Sequence, residues 1–236
     1  MAVIDFEERV VAFIDILGFK NIVKSAVLNS TAKDKLQELV SLLESVVPDL
    51  NTKVDYSVHP HLIPKHNYIA DCIILSAPVF DGSVANYNGL AVIVMRVIQI
   101  TQLLMNHGYI VSGGISIGAT WHTNNNIIGT AYQEAYLIEV DNPYPCILLS
   151  DKAAIAWKNS FYAGSDMCIY RKNCVFVNGM CNEYIAKNHQ YGVIHQTYQN
   201  YRNIMQKEIK ALSKSRPKRK WQWLLALLNK VESNTT

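Results

Sequence analysis

Residues 10–19 read Val-Val-Ala-Phe-Ile-Asp-Ile-Leu-Gly-Phe. From Val10 to Leu17 the run is almost continuously apolar and rich in β-branched residues. That is the pattern of a central strand buried on both faces, and Gly18 ends it. Asp15 is the exception. A carboxylate buried without a partner is costly, and a metal ion or a set of backbone N–H groups would remove that cost. Leu17-Gly18-Phe19-Lys20 lead into a helix N-terminus, where unpaired N–H groups and the helix dipole favour phosphate oxygens. From this stretch alone, an aspartate that merely caps the following helix is an equal alternative.

Outward from this strand the pattern alternates. A helical region is expected from Phe19 to Val47, broken near Asn29-Ser30-Thr31, where Ser or Thr can cap a second helix that Pro48 closes. Residues 51–66 are polar, carry Pro60 and Pro64, and read as a loop or irregular edge strand. Tyr68–Ile69 and Cys72–Ser76 are two strand pieces around Ala70-Asp71. A buried helix is expected from Val84 to His107, with polar residues 96, 99, 102 and 106 forming one stripe. Tyr109 to Gly118 is a strand with Ser112, Gly114, Ser116 and Gly118 on one face, which lets a helix or ligand approach the backbone. Residues 121–126 read as a turn. Thr130-Ala131-Tyr132-Gln133 matches a capping box for a helix running to Glu139. A short strand at Cys146–Leu149, a hairpin within 160–182, a helix over His195–Ser213 and a last short helix after Pro217 complete the chain. The order predicts an α+β fold, one sheet with helices packed on it.

The 236 residues are 50% hydrophobic and 17% charged, enough for a sizeable core and unlike a disordered chain. Five scattered cysteines without a C-x-x-C pair fit a reducing cytoplasm better than a disulfide framework or zinc site. The N-terminus lacks the bases of a signal peptide, and Leu90–Met105 is too interrupted for a spanning helix. The expectation is a cytoplasmic protein off the membrane. The net charge of +3 is uneven: Arg202 to Trp221 carries a local +7, which leaves the remainder at −4. Nucleic-acid binding by this basic segment is the weaker reading, since no aromatic interleaving or recognised motif accompanies it.

Asp71 alone reads as an ordinary hairpin aspartate. Paired with Asp15 it means more, because two hard oxygen ligands from neighbouring strands, with substrate phosphates, suit Mg²⁺ or Mn²⁺. The segments Phe13-Ile-Asp15-Ile-Leu-Gly18-Phe19, Ala70-Asp71-Cys72, Gly113-Gly-Ile-Ser-Ile-Gly118 and the helix from Gly129 to Glu139 together resemble class III nucleotidyl cyclases. Within that superfamily the wording is most similar to the bacterial pyrimidine cyclases of Pycsar antiphage signalling. The match covers about residues 8 to 150.

The resemblance implies a ferredoxin-like cyclase domain over residues 1–192 with a basic helical extension over 193–236. It implies a homodimer with composite active sites. Asp15, Asp71 and the carbonyl of Ile16 would hold two Mn²⁺ or Mg²⁺ ions. Phe13, Ile16, Leu17, Gly18 and Phe19 would form the triphosphate cradle, and Gln133 would contribute a hydrogen bond. The substrate would be UTP, giving 3′,5′-cyclic UMP and pyrophosphate, with CTP as the alternative; the product would act on a separate effector. A non-catalytic nucleotide-binding domain is the further alternative. Two positions depart from the pattern. Purine-specific members carry an Asn and an Arg on the helix where Gln133 and Leu137 stand, and pyrimidine cyclases often carry Arg where Ser112 stands. Leu137 cannot stabilise phosphoryl charge, so another base must, with Lys20, Lys24, Arg96 and Arg171 as unranked candidates. His122 stands at the spacing of a site residue, although a loop histidine without a role fits as well. Tyr132 and Tyr136 suit base stacking or packing. His59, His61 and His66 read as a solvated loop, and Cys72 as buried and inert.

Overall fold

The computed structural model describes residues 3–53, 58–80, 87–182, 184, 191–213 and 215–233. The apolar run is β1, Glu7–Ile16, and it lies at the centre of one sheet. Its neighbours are β3 (Cys72–Pro78) and β4 (Val111–His122), both antiparallel to it. β2 (Lys65–Ile69) flanks β3, and β5 (Ile127–Gly129) pairs with β4. Beyond β4 come β6 (Ile147–Leu149), parallel to it, then the hairpin of β7 (Cys168–Arg171) and β8 (Cys174–Val177). The sheet is therefore mixed, as expected.

Burial on both faces explains the unbroken apolarity of β1. Val10, Ala12, Ile14 and Ile16 enter the main core with Ile73, Leu75, Ile115 and helix α4, Gly89–Asn106. Val11 and Phe13 pack on the opposite face with Ile74, Ala131 and Ala135. Side chains alternate along a strand, so Asp15 shares the face of Val11 and Phe13. On that face lies α5, Thr130–Asp141. It rests directly on the small-residue stripe of β4. A Cβ on Gly114 would meet the Ala135 carbonyl oxygen at 2.4 Å, and one on Gly118 would meet Thr130 Oγ1 at 2.6 Å. A helix is thus what the stripe admits.

Several local expectations are corrected. The capping box at Thr130 does not form: the N-cap is Gly129, without a side-chain cap, and Thr130 is the first helical residue. After α1 (Phe19–Leu28), α2 (Ser30–Ser41) is capped by Asn29, whose side chain accepts from the Thr31 and Ala32 amides. Pro48 does not end that helix. The chain passes through a π-turn, Leu42–Val46, into a last turn α3, Val47–Asp49, where Pro48 lies at the start and needs no donor. Trp121 and His122 belong to β4 rather than to a turn. Helix α6, Asp151–Lys158, capped by Ser150, was not anticipated. The start expected for α4, Val84, falls outside the described residues; Asn88 caps the helix at Gly89. α4 is long and apolar enough to cross a membrane, but 67% of that stretch is buried against the protein, as in a core helix.

The C-terminal segment forms two helices, α7 (Tyr191–Ala211) and α8 (Ser215–Ser233). Pro217 lies within the first turn of α8, where its missing N–H costs nothing, so the helix begins six residues before Trp221 rather than after Pro217. Tyr198, Tyr201 and Met205 of α7 and Trp221, Leu224, Leu227 and Leu228 of α8 form a second core with Ile110, Cys146 and Phe176. Leu17, just past the end of β1, packs against this second core.

Candidate active site

Register assembles the site. Asp15 stands opposite Cys72 of β3 and Ser112 of β4. Ile69 pairs with Cys72, leaving Ala70-Asp71 as a two-residue turn. Ala70 takes the left-handed conformation, φ 57°, which suits the twist of a tight hairpin but is strained for a residue with a Cβ. The Asp71 carbonyl accepts the Ile16 N–H at 3.1 Å, so the turn is tied to the end of β1.

Ligand atoms of Asp15, Asp71 and Cys72 all lie within 4.8 Å of one another. The Cys72 thiol faces Asp71 Oδ1 at 3.7 Å and Asp15 Oδ1 at 3.9 Å. Burial first, then the two aspartates, push this thiol up to about 12, so it stays a neutral S–H. Asp15 is pushed up to about 7, first by burial and then by the neighbouring charges of Glu139 and Asp71; Lys220 acts in the opposite direction. Glu139, near the end of α5, is held by a hydrogen bond of 2.9 Å from Ser112 Oγ. Crowded carboxylates beside a neutral thiol suit a hard divalent cation, which takes oxygen ligands and relieves their repulsion. Asp15, Asp71 and the adjacent main-chain carbonyl of Ile16 are the oxygens on hand.

The residues expected to cradle phosphate differ in what they offer. Phe13 is buried under α5, its ring 5.4 Å from Tyr136 and 6.1 Å from Tyr132. The Ile16 side chain is in the core, and its amide is engaged by Asp71. The Leu17 amide donates to the Ile110 carbonyl at 2.9 Å. Gly18, exposed and at φ 88°, starts α1, and no side chain caps that helix. Gln133 and Leu137 are exposed on the outer side of α5. Of the bases considered for phosphoryl charge, Lys20 and Lys24 are exposed on α1, and Arg96 is buried in α4. Arg171 lies over the rings of Trp223 and Phe176, 5.3 and 5.4 Å away. None of these is the cation acting on Asp15.

His122 belongs to a different cluster on the same face. Arg9 Nε donates to Ser76 Oγ at 2.8 Å, and Ser76 Oγ donates onward to His122 Nδ1 at 2.6 Å. The remaining ring N–H, at Nε2, faces Asn67 Oδ1. Burial first, then the nearby charges of Arg9 and Lys65, depress His122 to about 4. It is a neutral, fully bonded structural histidine. Ser76 stands opposite Val11, four residues from Asp15, or about 13 Å along the strand.

Two site residues escaped the sequence reading. Glu139 had a faint signal: α5 carries Glu134 and Glu139, and the β4 stripe carries Ser116 and Ser112, which donate to them one each. Lys220 had none, because its approach depends on where the C-terminal helices dock.

No protein-family model matches the chain, and no curated protein is detectably similar to it in sequence. Solved structures are. The catalytic core of a rhodopsin-guanylyl cyclase with converted specificity, in complex with ATPalphaS, matches with a TM-score of 0.52 at 16% identity, over 73% of this chain and 96% of that one. The fold is that of a class III cyclase catalytic domain. The adenylyl cyclase CyaB from P. aeruginosa also matches, with a TM-score of 0.48 at 14% identity, over 75% of this chain and 94% of that one. At such identities the likeness is one of fold.

Proposed function

We propose that the protein is a pyrimidine-nucleotide cyclase that converts UTP to 3′,5′-cyclic UMP and pyrophosphate. The observation that carries the reading is the convergence of Asp15 and Asp71 within metal-ligand range, on a cyclase fold. Asp15, Asp71 and the Ile16 carbonyl would hold two divalent ions, Mn²⁺ or Mg²⁺. When bound, such ions neutralise phosphoryl charge and favour ionisation of a hydroxyl. The ribose 3′-oxygen attacks the α-phosphorus in line. The bond from that phosphorus to the bridging oxygen breaks, pyrophosphate departs, and the hydroxyl proton leaves to solvent. No covalent enzyme intermediate is required, so positioning and charge stabilisation carry catalysis. The amides at Gly18 and Phe19, at the start of α1, which no side chain caps, would offer donors to phosphate oxygens.

A second copy completes the site. Tyr136, Leu137 and Val140 of α5 are 46%, 57% and 56% exposed, an apolar row beside the acidic corner that suits a homodimer interface. The pyrimidine preference, the role in antiphage signalling through a separate effector, and a cytoplasmic setting rest on the sequence resemblance. CTP is the alternative substrate.

A second reading, nucleotide binding without turnover, is favoured by Leu137, which stands where purine cyclases carry an arginine. One experiment separates them: incubation of the purified protein with each of the four NTPs and Mn²⁺, followed by chromatography of products. Cyclic UMP from UTP is the expected product. Cyclic CMP alone moves the preference to CTP. Tight NTP binding with no pyrophosphate released establishes the non-catalytic reading.

A further inference from the structure

We propose that Lys220, carried by the C-terminal helix α8, is a triphosphate-binding residue of the acidic corner. The inference rests on the nucleotide reading of that corner and adds to it a cation from outside the cyclase-like segment.

Packing fixes the position. Trp221, the next residue, is buried with Ile110, Cys146 and Leu224 in the second core, against which Leu17 also packs. Leu17 is two residues from Asp15, and its amide is bonded to Ile110. Trp223 stacks on Tyr144, ring centroids 5.3 Å apart, and carries Arg171 on its face. The start of α8 is therefore held against the end of β1 and the segment that follows α5, by apolar contacts that owe nothing to Lys220 itself.

Lys220 is half-buried there, and its charge acts on both Asp15 and Glu139. Burial and the neighbouring Arg216 oppose its ammonium form, while Glu139 and Asp15 favour it. Yet among the described residues Lys220 makes no ion pair with either carboxylate. A partly desolvated ammonium without a direct partner has unspent hydrogen-bonding capacity. Its charge bears on a corner where divalent ions would take up the carboxylate charge, which leaves the ammonium to a polyanion. Phosphoryl charge needs a base that Leu137 cannot supply, and among the described residues Lys220 is the cation whose charge acts on Asp15. The basic segment thereby acquires a local role that does not involve nucleic acid.

The test uses binding of inorganic tripolyphosphate in the presence of Mn²⁺, measured by calorimetry on the full-length protein. Wild type is compared with Lys220→Ala, Lys220→Arg and Arg219→Ala, an exposed control on the same helix. Lys220→Ala is expected to weaken tripolyphosphate about tenfold or more, the loss of one charge-assisted contact. Lys220→Arg should recover most of that loss, and Arg219→Ala should leave affinity unchanged. Mn²⁺ alone should bind Lys220→Ala at least as tightly as wild type, since a competing cation has gone; thermal melting confirms that α8 stays docked. Wild-type affinity in Lys220→Ala, or no tripolyphosphate binding by wild type, overturns the inference. Lysine-dependent tripolyphosphate binding without cyclic product from any NTP leaves the inference standing and removes the cyclase reading instead.

Discussion

Two polar clusters share one face of the central sheet and obey opposite rules. Around His122 the polar atoms have partners: Arg9, Ser76 and Asn67 close a hydrogen-bonded network on a neutral imidazole. Four residues along β1, Asp15, Asp71 and Glu139 crowd their charges with no direct cationic partner among the described residues, and Asp15 is held near 7. The first arrangement stabilises the fold, because satisfied buried groups rigidify it and specify its packing. The second destabilises the metal-free protein, and an arrangement of that kind points to ligand binding rather than to structure. The histidine that the sequence offered as a site neighbour belongs to the scaffold, and the site's further charges came from α5 and α8.

Substitutions should separate the clusters. The largest effect is expected on turnover: Asp15→Asn or Asp71→Asn should cost about 10³-fold or more in cyclic product, since a metal ligand is lost. The same Asp15→Asn change should raise the stability of the metal-free protein at pH 8 by about 1 to 2 kcal/mol, after allowance for partial solvent screening. A melt that fell instead would mean that the carboxylate is structural. His122→Ala should do the reverse. Leaving the Ser76 hydroxyl proton and Asn67 Oδ1 without their partner should cost about 2 to 4 kcal/mol in denaturant unfolding. The turnover of the folded fraction should stay near wild type.

The pH dependence carries the same contrast, with opposite signs. His122 has a folded pKa of about 4, below its ordinary 6.5, so the native state binds fewer protons than the unfolded chain. Its contribution is complete above 6.5 and is lost as pH falls towards 4. Asp15 has a folded pKa of about 7, above its ordinary 3.8, so the native state binds more protons. Its penalty is complete above 7 and is relieved as pH falls towards 3.8. Asp15→Asn removes that relief and should melt more steeply with acid than wild type between pH 7 and 4. Mn²⁺ affinity should drop as pH falls below about 7, because a proton then competes for Asp15. A pH-independent affinity would place the ion elsewhere.

The smallest effect is at the turn. Ala70→Gly removes a left-handed alanine and should stabilise the protein by about 1 kcal/mol, read from the denaturation midpoint. An unchanged or lowered midpoint would mean that the alanine side chain contributes packing that outweighs its strain.

What the sequence disclosed depended on range. Asp15 stood out because it interrupts an apolar strand, and Asp71 because it sits between two strand pieces. The stripe of Ser112, Gly114, Ser116 and Gly118 announced a close helix, and α5 is that helix. These are short-range patterns. Helix caps were misassigned by a residue, Asn29 for Ser or Thr and Gly129 for Thr130, since neighbouring side chains compete for the same orphan amides. The charges of Glu139 and Lys220 and the bonding of His122 depend on strand register and on the docking of α8. No local period encodes those. The basic run was legible as charge but not as a position: its eight bases lie outside the cyclase-like stretch, yet the charge of one of them, Lys220, acts on Asp15.

The proposed metal centre joins Asp15 and Asp71 on a nucleotide site. Counting bound Mn²⁺ by electron paramagnetic resonance, with a non-cyclisable UTP analogue lacking the 3′-hydroxyl, tests it most directly. Two ions per chain are expected in wild type, with loss of tight Mn²⁺ binding in both Asp15→Asn and Asp71→Asn while the proteins remain folded. Unchanged Mn²⁺ stoichiometry and affinity in either variant would contradict it.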